Sequence, residues 1–260
     1  MQLTPRLETI FREIAPGETA ADIGTDHGYI PIFLKQKEIS EKVILTDISS
    51  ASLEKAVKNA ERAGISDGLI FRTGDGLGPV GPSEVDDIII AGVGGELMVS
   101  MLAEDLPKSR TFKKYVFQPR SKAGTLRRFL AENGFFIARE QLAEERGRIC
   151  QVITALPERY DGRDPEKAER IRKEYAGDSE IFGRYPEAGA GDIEWEAPVT
   201  LLHTREGLAE EFFLARLEKE KTKLAGIAGK KEYDGKIMSE AAGNTAYLRR
   251  LLAGTGADGE

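Results

Sequence analysis

Aspartates set in glycine-rich turns are the residues of this chain best suited to chemistry. The first group reads Asp22-Ile23-Gly24-Thr25-Asp26-His27-Gly28-Tyr29, where glycines let the backbone turn sharply and approach a bound molecule closely. It is not the G-x-G-x-x-G dinucleotide loop, because Asp26 stands at the middle glycine position and a carboxylate there repels a pyrophosphate. Acids around such a turn suit a cofactor with cationic groups and no phosphate, the charge pattern of S-adenosylmethionine. Asp47 follows about 20 residues after the glycine turn, the spacing at which a carboxylate accepts hydrogen bonds from ribose hydroxyls. Gly74-Asp75-Gly76 sets another carboxylate within reach of an adenine amino group. Taken singly, each aspartate is an ordinary solvated loop residue; their recurrence after successive strands singles them out. Ile90-Ala91-Gly92-Val93-Gly94-Gly95 stands where exocyclic-amine methyltransferases carry an Asn/Asp-Pro-Pro-aromatic loop. Its glycines admit a flat base or a methionine tail, argue against amino-group methylation and leave ring nitrogens open.

Positioning these turns requires an α/β framework. Short apolar runs predict strands at 19–23, 43–47, 69–73, 85–91 and 115–118, alternating with helical patterns as parallel βαβ units do. One such helix, 50–63, has a serine cap and is stopped by Gly64. Runs at 135–137 and 149–156 are expected to add edge strands. The fold class is therefore a doubly wound, Rossmann-like sheet over residues 1–157, with a small α-helical domain over 158–260. In the second part we expect a charged helix at 166–175, a Gly/Ala/Pro-rich link at 185–191, and helices at 206–228 and 236–252. Phe213, Leu217, Leu224 and Ile227 form an apolar stripe that pairs those last two helices antiparallel. The heptad pattern is too short for a dimerising coiled coil, so a monomer, at most a weak dimer, is expected.

Composition narrows the setting. The chain has 260 residues, 40% hydrophobic and 31% charged, and lacks the roughly 18 uninterrupted apolar residues of a membrane span. Cys150 is the only cysteine and the first residues carry no secretory pattern, so a reducing cytoplasm is expected. No His/Cys/Asp/Glu cluster has metal-ligand spacing, and no metal is expected. His203 and Trp195 lack partners at diagnostic spacing and read as structural. A net charge of −7 disfavours a polyanion partner, yet between Pro107 and Ala131 stand Lys108, Arg110, Lys113, Lys114, Arg120, Lys122, Arg127 and Arg128 with no acid among them. Either a phosphate-binding surface or a solvated helix face fits that stretch. Gln118-Pro119 leads from the expected fifth strand into it.

Together these segments resemble the TrmK family of bacterial tRNA methyltransferases, which modify adenine N1 at position 22 of the D-arm. The resemblance rests on Thr4-x-Arg6-Leu7, on 21–31, Asp47, Gly74-Asp-Gly-Leu77, Ile90-Ala-Gly-Val-Gly-Gly95, Gln118-Pro119, Leu126-Arg127 and Gly134-Phe135. It implies attack by adenine N1 on the sulfonium methyl of S-adenosylmethionine, leaving S-adenosylhomocysteine. Cofactor contacts then fall to Arg6, Asp22, Gly24, Thr25, Gly28, Asp47, Gly74, Asp75, Gly76, Ala91, Gly92 and Gly94. Asp26 would oppose the developing cationic charge and His27 accept or relay a proton, or merely hold the turn. Tyr29 would stack on the base or staple the following helix. The tRNA backbone would meet Gln118, Arg120, Lys122, Arg127 and Arg128. Val93, Arg120 and Cys150-Gln151 depart from the family's usual Met, another residue after Gln-Pro, and Tyr-Glu. Other readings remain: a class I methyltransferase of another RNA, a protein or a small molecule, an RNA-binding scaffold with a degenerate pocket, or a nicotinamide dehydrogenase.

Overall fold

The structure, a computed structural model, describes residues 2–65, 67–157, 186, 191–204, 207–228 and 235–254. The chain divides into two compact units, Met1–Gly183 and Arg184–Glu260. The expected boundary at 157/158 meets the end of the described part of the first unit, and the expected helix at 166–175 and link at 185–191 fall largely outside the described residues.

The first unit begins with α1 (Pro5–Phe11), whose N-cap Thr4 accepts a hydrogen bond from Leu7 N–H and whose first residue is proline, the favoured start chemistry. Then follow β1 (Ala20–Ile23), α2 (Tyr29–Gln36), β2 (Val43–Asp47), α3 (Ser50–Arg62), β3 (Leu69–Thr73), β4 (Asp87–Ala91), α4 (Gly95–Glu104), α5 (Leu106–Ser109), β5 (Lys114–Gln118), α6 (Ala123–Glu132), β6 (Phe136–Glu145) and β7 (Arg148–Leu156). The expected strands are present, shifted by a residue or two at their ends. The cap of α3 is Ser49, one residue before the expected start, and its hydroxyl accepts from Ser52 N–H.

The sheet order is β3-β2-β1-β4-β5-β7-β6, with β1 to β5 parallel and β7 antiparallel to both neighbours. The expectation of two edge strands is corrected here: β7 lies between β5 and β6, and β6 alone forms that edge. β6 also runs to Glu145, well past the expected 137, with a register shift between Ile137 and Arg139 that breaks the apolar alternation. Its turn into β7 is the two-residue Arg146-Gly147, both left-handed, as a tight antiparallel hairpin prefers.

Both faces of the central strands are buried, as a parallel sheet demands. On one face Ile10, Ile14, Ile30, Leu34, Val43, Ile89, Val116 and Val152 form one core cluster, and Leu45 packs with Leu53 and Ala56 of α3. On the other, the stacked rings of Tyr115 and Phe117 carry α5, whose Ser109 carbonyl accepts from the Tyr115 hydroxyl at 2.8 Å. At the strands' amino edge Lys114, 2% exposed, lies 2.7 Å from Glu18 and 3.2 Å from Asp87.

In the second unit, α7 (Asp192–Glu196) and a 3₁₀ turn (Val199–His203) precede α8 (Leu208–Ala228) and α9 (Gly235–Gly254). The contacts Asn244 to Glu220 and Lys223 to Glu240 run in opposite chain directions, so α8 and α9 pair antiparallel as expected. Phe213 and Leu217 of α8 are buried, Leu224 and Ile227 partly so. No helix among the described residues is long and apolar enough to cross a membrane.

Candidate functional site

With β1 flanked by β2 and β4, chain order reverses at β1, and the crevice beyond the carboxyl ends of β1 and β4 is where doubly wound sheets receive ligands. The turn after β1 is pinned there by Gly24 and Thr25 N–H groups, which both donate to the Thr46 carbonyl of β2 at 2.8 and 2.9 Å. Gly28 ends the turn in the left-handed region, and a Cβ on it would stand 3.0 Å from both Ala56 and Leu45 side chains. Only glycine lets the turn settle this close to α3 and β2.

Inside the turn, Asp22 is nearly buried and accepts the Thr25 hydroxyl at 2.6 Å. Burial pushes its pKa up to about 6, with the Thr25 hydrogen bond opposing, the Asp47 charge adding and the Arg6 charge subtracting. Asp26 is exposed and bridges Lys55 of α3, at 2.9 Å, and His27 Nε2, at 3.1 Å. The Lys55 ammonium holds its carboxyl below the ordinary range. The His27 ring stacks on Tyr29 at 5.1 Å between centroids, its carbonyl accepts from Asn59, and Tyr29 is 39% exposed. The carboxylate, imidazole and phenol thus form one rank along the turn, with an aromatic face open to solvent.

Asp47 accepts Ser49 N–H at 2.7 Å, and its carbonyl accepts from Gly74, tying the second and third turns together. Asp75 is exposed and Gly76 buried beside it. After β4, Ala91, Gly92 and Gly94 lie half-buried, and their loop is laced to the loop after β5 by main-chain bonds: Gly92 N–H to Gln118, Arg120 N–H to Val93 and Gly95 N–H to Ser121. A Cβ on Gly95 would meet the Lys122 carbonyl at 2.1 Å, so α4 can begin there only with glycine. Lys122 itself is left-handed, a strained position for a residue with a side chain.

Two of the expected backbone contacts are corrected. Arg127 is 1% exposed, its Nε donating to Glu140 at 2.6 Å and its Nη2 to Gln151, so it holds α6 against β6 and β7 and presents nothing to a phosphate. Gln118 is 2% exposed and accepts from Arg6 Nη1 at 2.9 Å, which makes it part of the crevice wall. Lys114, Lys113, Lys108 and Arg110 from the same basic stretch are engaged with Glu18, Asp86, and the Leu77 and Asn133 carbonyls. Arg120 and Lys122 remain exposed, and Arg128 is half-buried.

Glu145, at the far end of β6, was not singled out by sequence; it accepts from both Thr4, at 2.5 Å, and Arg6 Nε, at 2.6 Å. Nothing local signals this contact, which joins residues 139 positions apart. Cys150 is half-buried on β7, and burial raises its thiol pKa. The arrangement offers carboxylates near a guanidinium, with glycine loops for close approach.

A methyltransferase-domain family model matches residues 3–153. The Bacillus subtilis tRNA (adenine(22)-N(1))-methyltransferase is 30% identical over 155 residues, covering 60% of this chain and 65% of that protein, so the match spans less than two thirds of the relative's length. Among solved structures, the B. subtilis m1A22 tRNA methyltransferase TrmK superposes with a TM-score of 0.77 at 22% identity, covering 96% of this chain and 99% of that one. M. capricolum TrmK, solved in complex with S-adenosyl-homocysteine, gives 0.73 at 19% identity, covering 97% and 99%. These superpositions establish likeness of fold. Since the family model covers more than half of the 260 residues and the sheet carries its turns at the switch point, the chain belongs to the methyltransferase-domain family.

Proposed function

We propose that this protein transfers a methyl group from S-adenosylmethionine to N1 of adenine 22 in the D-arm of tRNA, acting as a monomer. The observation that carries the reading is the recurrence of acids at the carboxyl ends of successive parallel strands, Asp22 near the end of β1, Asp47 closing β2 and Asp75 after β3, with Arg6 close enough to Asp22 for their charges to interact. That donor set fits the group: carboxylates suit a sulfonium, an ammonium and ribose hydroxyls, and a guanidinium suits a carboxylate. The similarity to the B. subtilis enzyme supports tRNA as substrate.

Bound in the crevice, S-adenosylmethionine supplies an electrophilic methyl. Asp22 would face its ammonium, Asp47 its ribose and Asp75 its adenine, while the Gly92–Gly94 loop lets the donor and the target base come close. Tyr29 stacks on the extruded base. Asp26 would oppose the positive charge that N1 gains, giving up part of its pairing with Lys55 to do so. Holding N1 about 3 to 3.5 Å from the methyl contributes on the order of 7 to 11 kcal/mol through orientation alone. Arg120 and Lys122 meet the tRNA backbone at the mouth.

The test is methyl transfer from labelled cofactor to unmodified tRNA transcripts carrying adenine or guanine at position 22, with nucleosides identified by mass spectrometry. We expect N1-methyladenine only with adenine 22, and its loss by about a hundredfold or more in Asp26→Ala. Methylation of a different nucleoside, or cofactor binding with no transfer to tRNA, overturns the substrate assignment.

A further inference from the structure

The hydrogen bonds that converge on Arg6 form a clamp whose parts come from opposite ends of the first unit. Glu145 uses both oxygens: Oε1 accepts the Thr4 hydroxyl and Oε2 accepts Arg6 Nε–H. Gln118 Oε1 accepts from Arg6 Nη1, and the Gln118 amide is itself steadied by donating to the Pro119 carbonyl at 3.1 Å. A guanidinium is a rigid planar fork of five donors, so fixing Nε and one Nη1 hydrogen fixes the direction of the rest. Nη2 has no protein partner among the described residues. Gln118 pairs with Ala91 and accepts Gly92 N–H, which puts the fork beside the β4 loop and close enough to Asp22 for their charges to interact. A fixed cation next to a nearly buried carboxylate is a receptor for a zwitterion, the chemistry of a free amino-acid group.

We infer that Glu145 is a positioning residue that aims Arg6 at the α-carboxylate of the cofactor's amino-acid portion. The inference rests on the cofactor reading above and adds a role for a residue on β6, outside the glycine turns. Burial works against the Glu145 charge, yet the Thr4 and Arg6 hydrogen bonds and the Arg6 and Arg146 charges keep its carboxyl below the ordinary range, so it is ionised when it holds the arginine.

Calorimetric titration with S-adenosylhomocysteine and with 5′-methylthioadenosine separates the amino-acid portion from the adenosine portion, since the second ligand lacks the former. In wild-type protein we expect the first to bind more tightly. Glu145→Ala should weaken S-adenosylhomocysteine about tenfold or more and leave 5′-methylthioadenosine unchanged, with Glu145→Gln, which keeps the shape, showing a smaller loss in the same direction. Unchanged nucleoside binding also reports an intact pocket. If both ligands weaken together, or S-adenosylhomocysteine is unaffected, Glu145 only packs β6 and the inference is wrong. Wild-type protein that binds neither ligand overturns the cofactor reading itself.

Discussion

At the end of β1, Asp22 keeps its carboxylate against the Thr25 hydroxyl with little water around it, and its pKa of about 6 couples folding to binding. Because the folded value lies above the ordinary 3.8, the folded state holds this proton more tightly, so the stabilisation is fully present below about pH 4 and is lost as pH rises through about 6. At about 1.4 kcal/mol per unit, ionised Asp22 costs the unliganded fold at most about 3 kcal/mol at neutral pH. Asp22→Asn should therefore raise the melting temperature of the free protein at pH 7.5 and flatten its pH dependence between 4 and 6, while abolishing cofactor binding. Wild-type affinity for S-adenosylmethionine should fall as the medium is acidified below about pH 6, measured by calorimetry at pH 5 and 7.5. A variant no more stable than wild type at pH 7.5 would show that Asp22 is not charged there. Such carboxylates are legible in sequence because turn chemistry is local: glycine spacing and a position after an apolar run suffice. Arg127 and Glu145 are not, because their partners, Glu140, Gln151 and Arg6, are chosen by packing between distant segments.

Elements show the same division. The runs that make β1, β2 and β4 are short, apolar and buried on both faces, a pattern that parallel strands share with few other structures. β6 is harder to read, since Arg139, Glu140 and Gln141 interrupt its apolar residues, and their side chains are spent on Glu13 and Arg127. That β7 slots between β5 and β6 has no local signature. Among the charged contacts, Lys114 binds β5 to β4 and to the β1 approach through Asp87 and Glu18. Burial raises the Asp87 pKa to about 8 even with the ammonium beside it. Lys114→Met leaves the Glu18 carboxylate, with Asp87 beside it, without a counter-charge and should destabilise the protein by about 3 to 5 kcal/mol, read from denaturant unfolding. Asp87→Asn should cost clearly less. Equal losses would mean that the packing of the lysine stem, and not its charge, is what matters.

Over the whole molecule the net charge is −7, so the grip on tRNA proposed above would have to come from local cations working against a repulsive background. With Arg127 and Lys114 buried, the exposed Arg120 and Lys122 stand beside the laced loops at the crevice mouth. Charge reversal of each should weaken tRNA binding and shrink the slope of log affinity against log salt by about one, while cofactor affinity stays constant. Arg127→Glu should instead lower the melting temperature. If slopes are unaltered in Arg120→Glu and Lys122→Glu, the backbone is held elsewhere.

The segment just after α1 and the β6–β7 hairpin meet through Glu13, which accepts hydrogen bonds from Arg139, Gln141 and Thr154, the last 141 residues further along the chain. During translation, then, the outer edge of β5 stays without its antiparallel partner until β7 has left the ribosome. A chain that ends before residue 148 has its glycine turns and β5 paired with β4, but lacks the strand that covers the outer edge of β5 and the Thr154 hydroxyl that Glu13 accepts. Until the hairpin docks, that unpaired strand edge is a surface that a chaperone can hold.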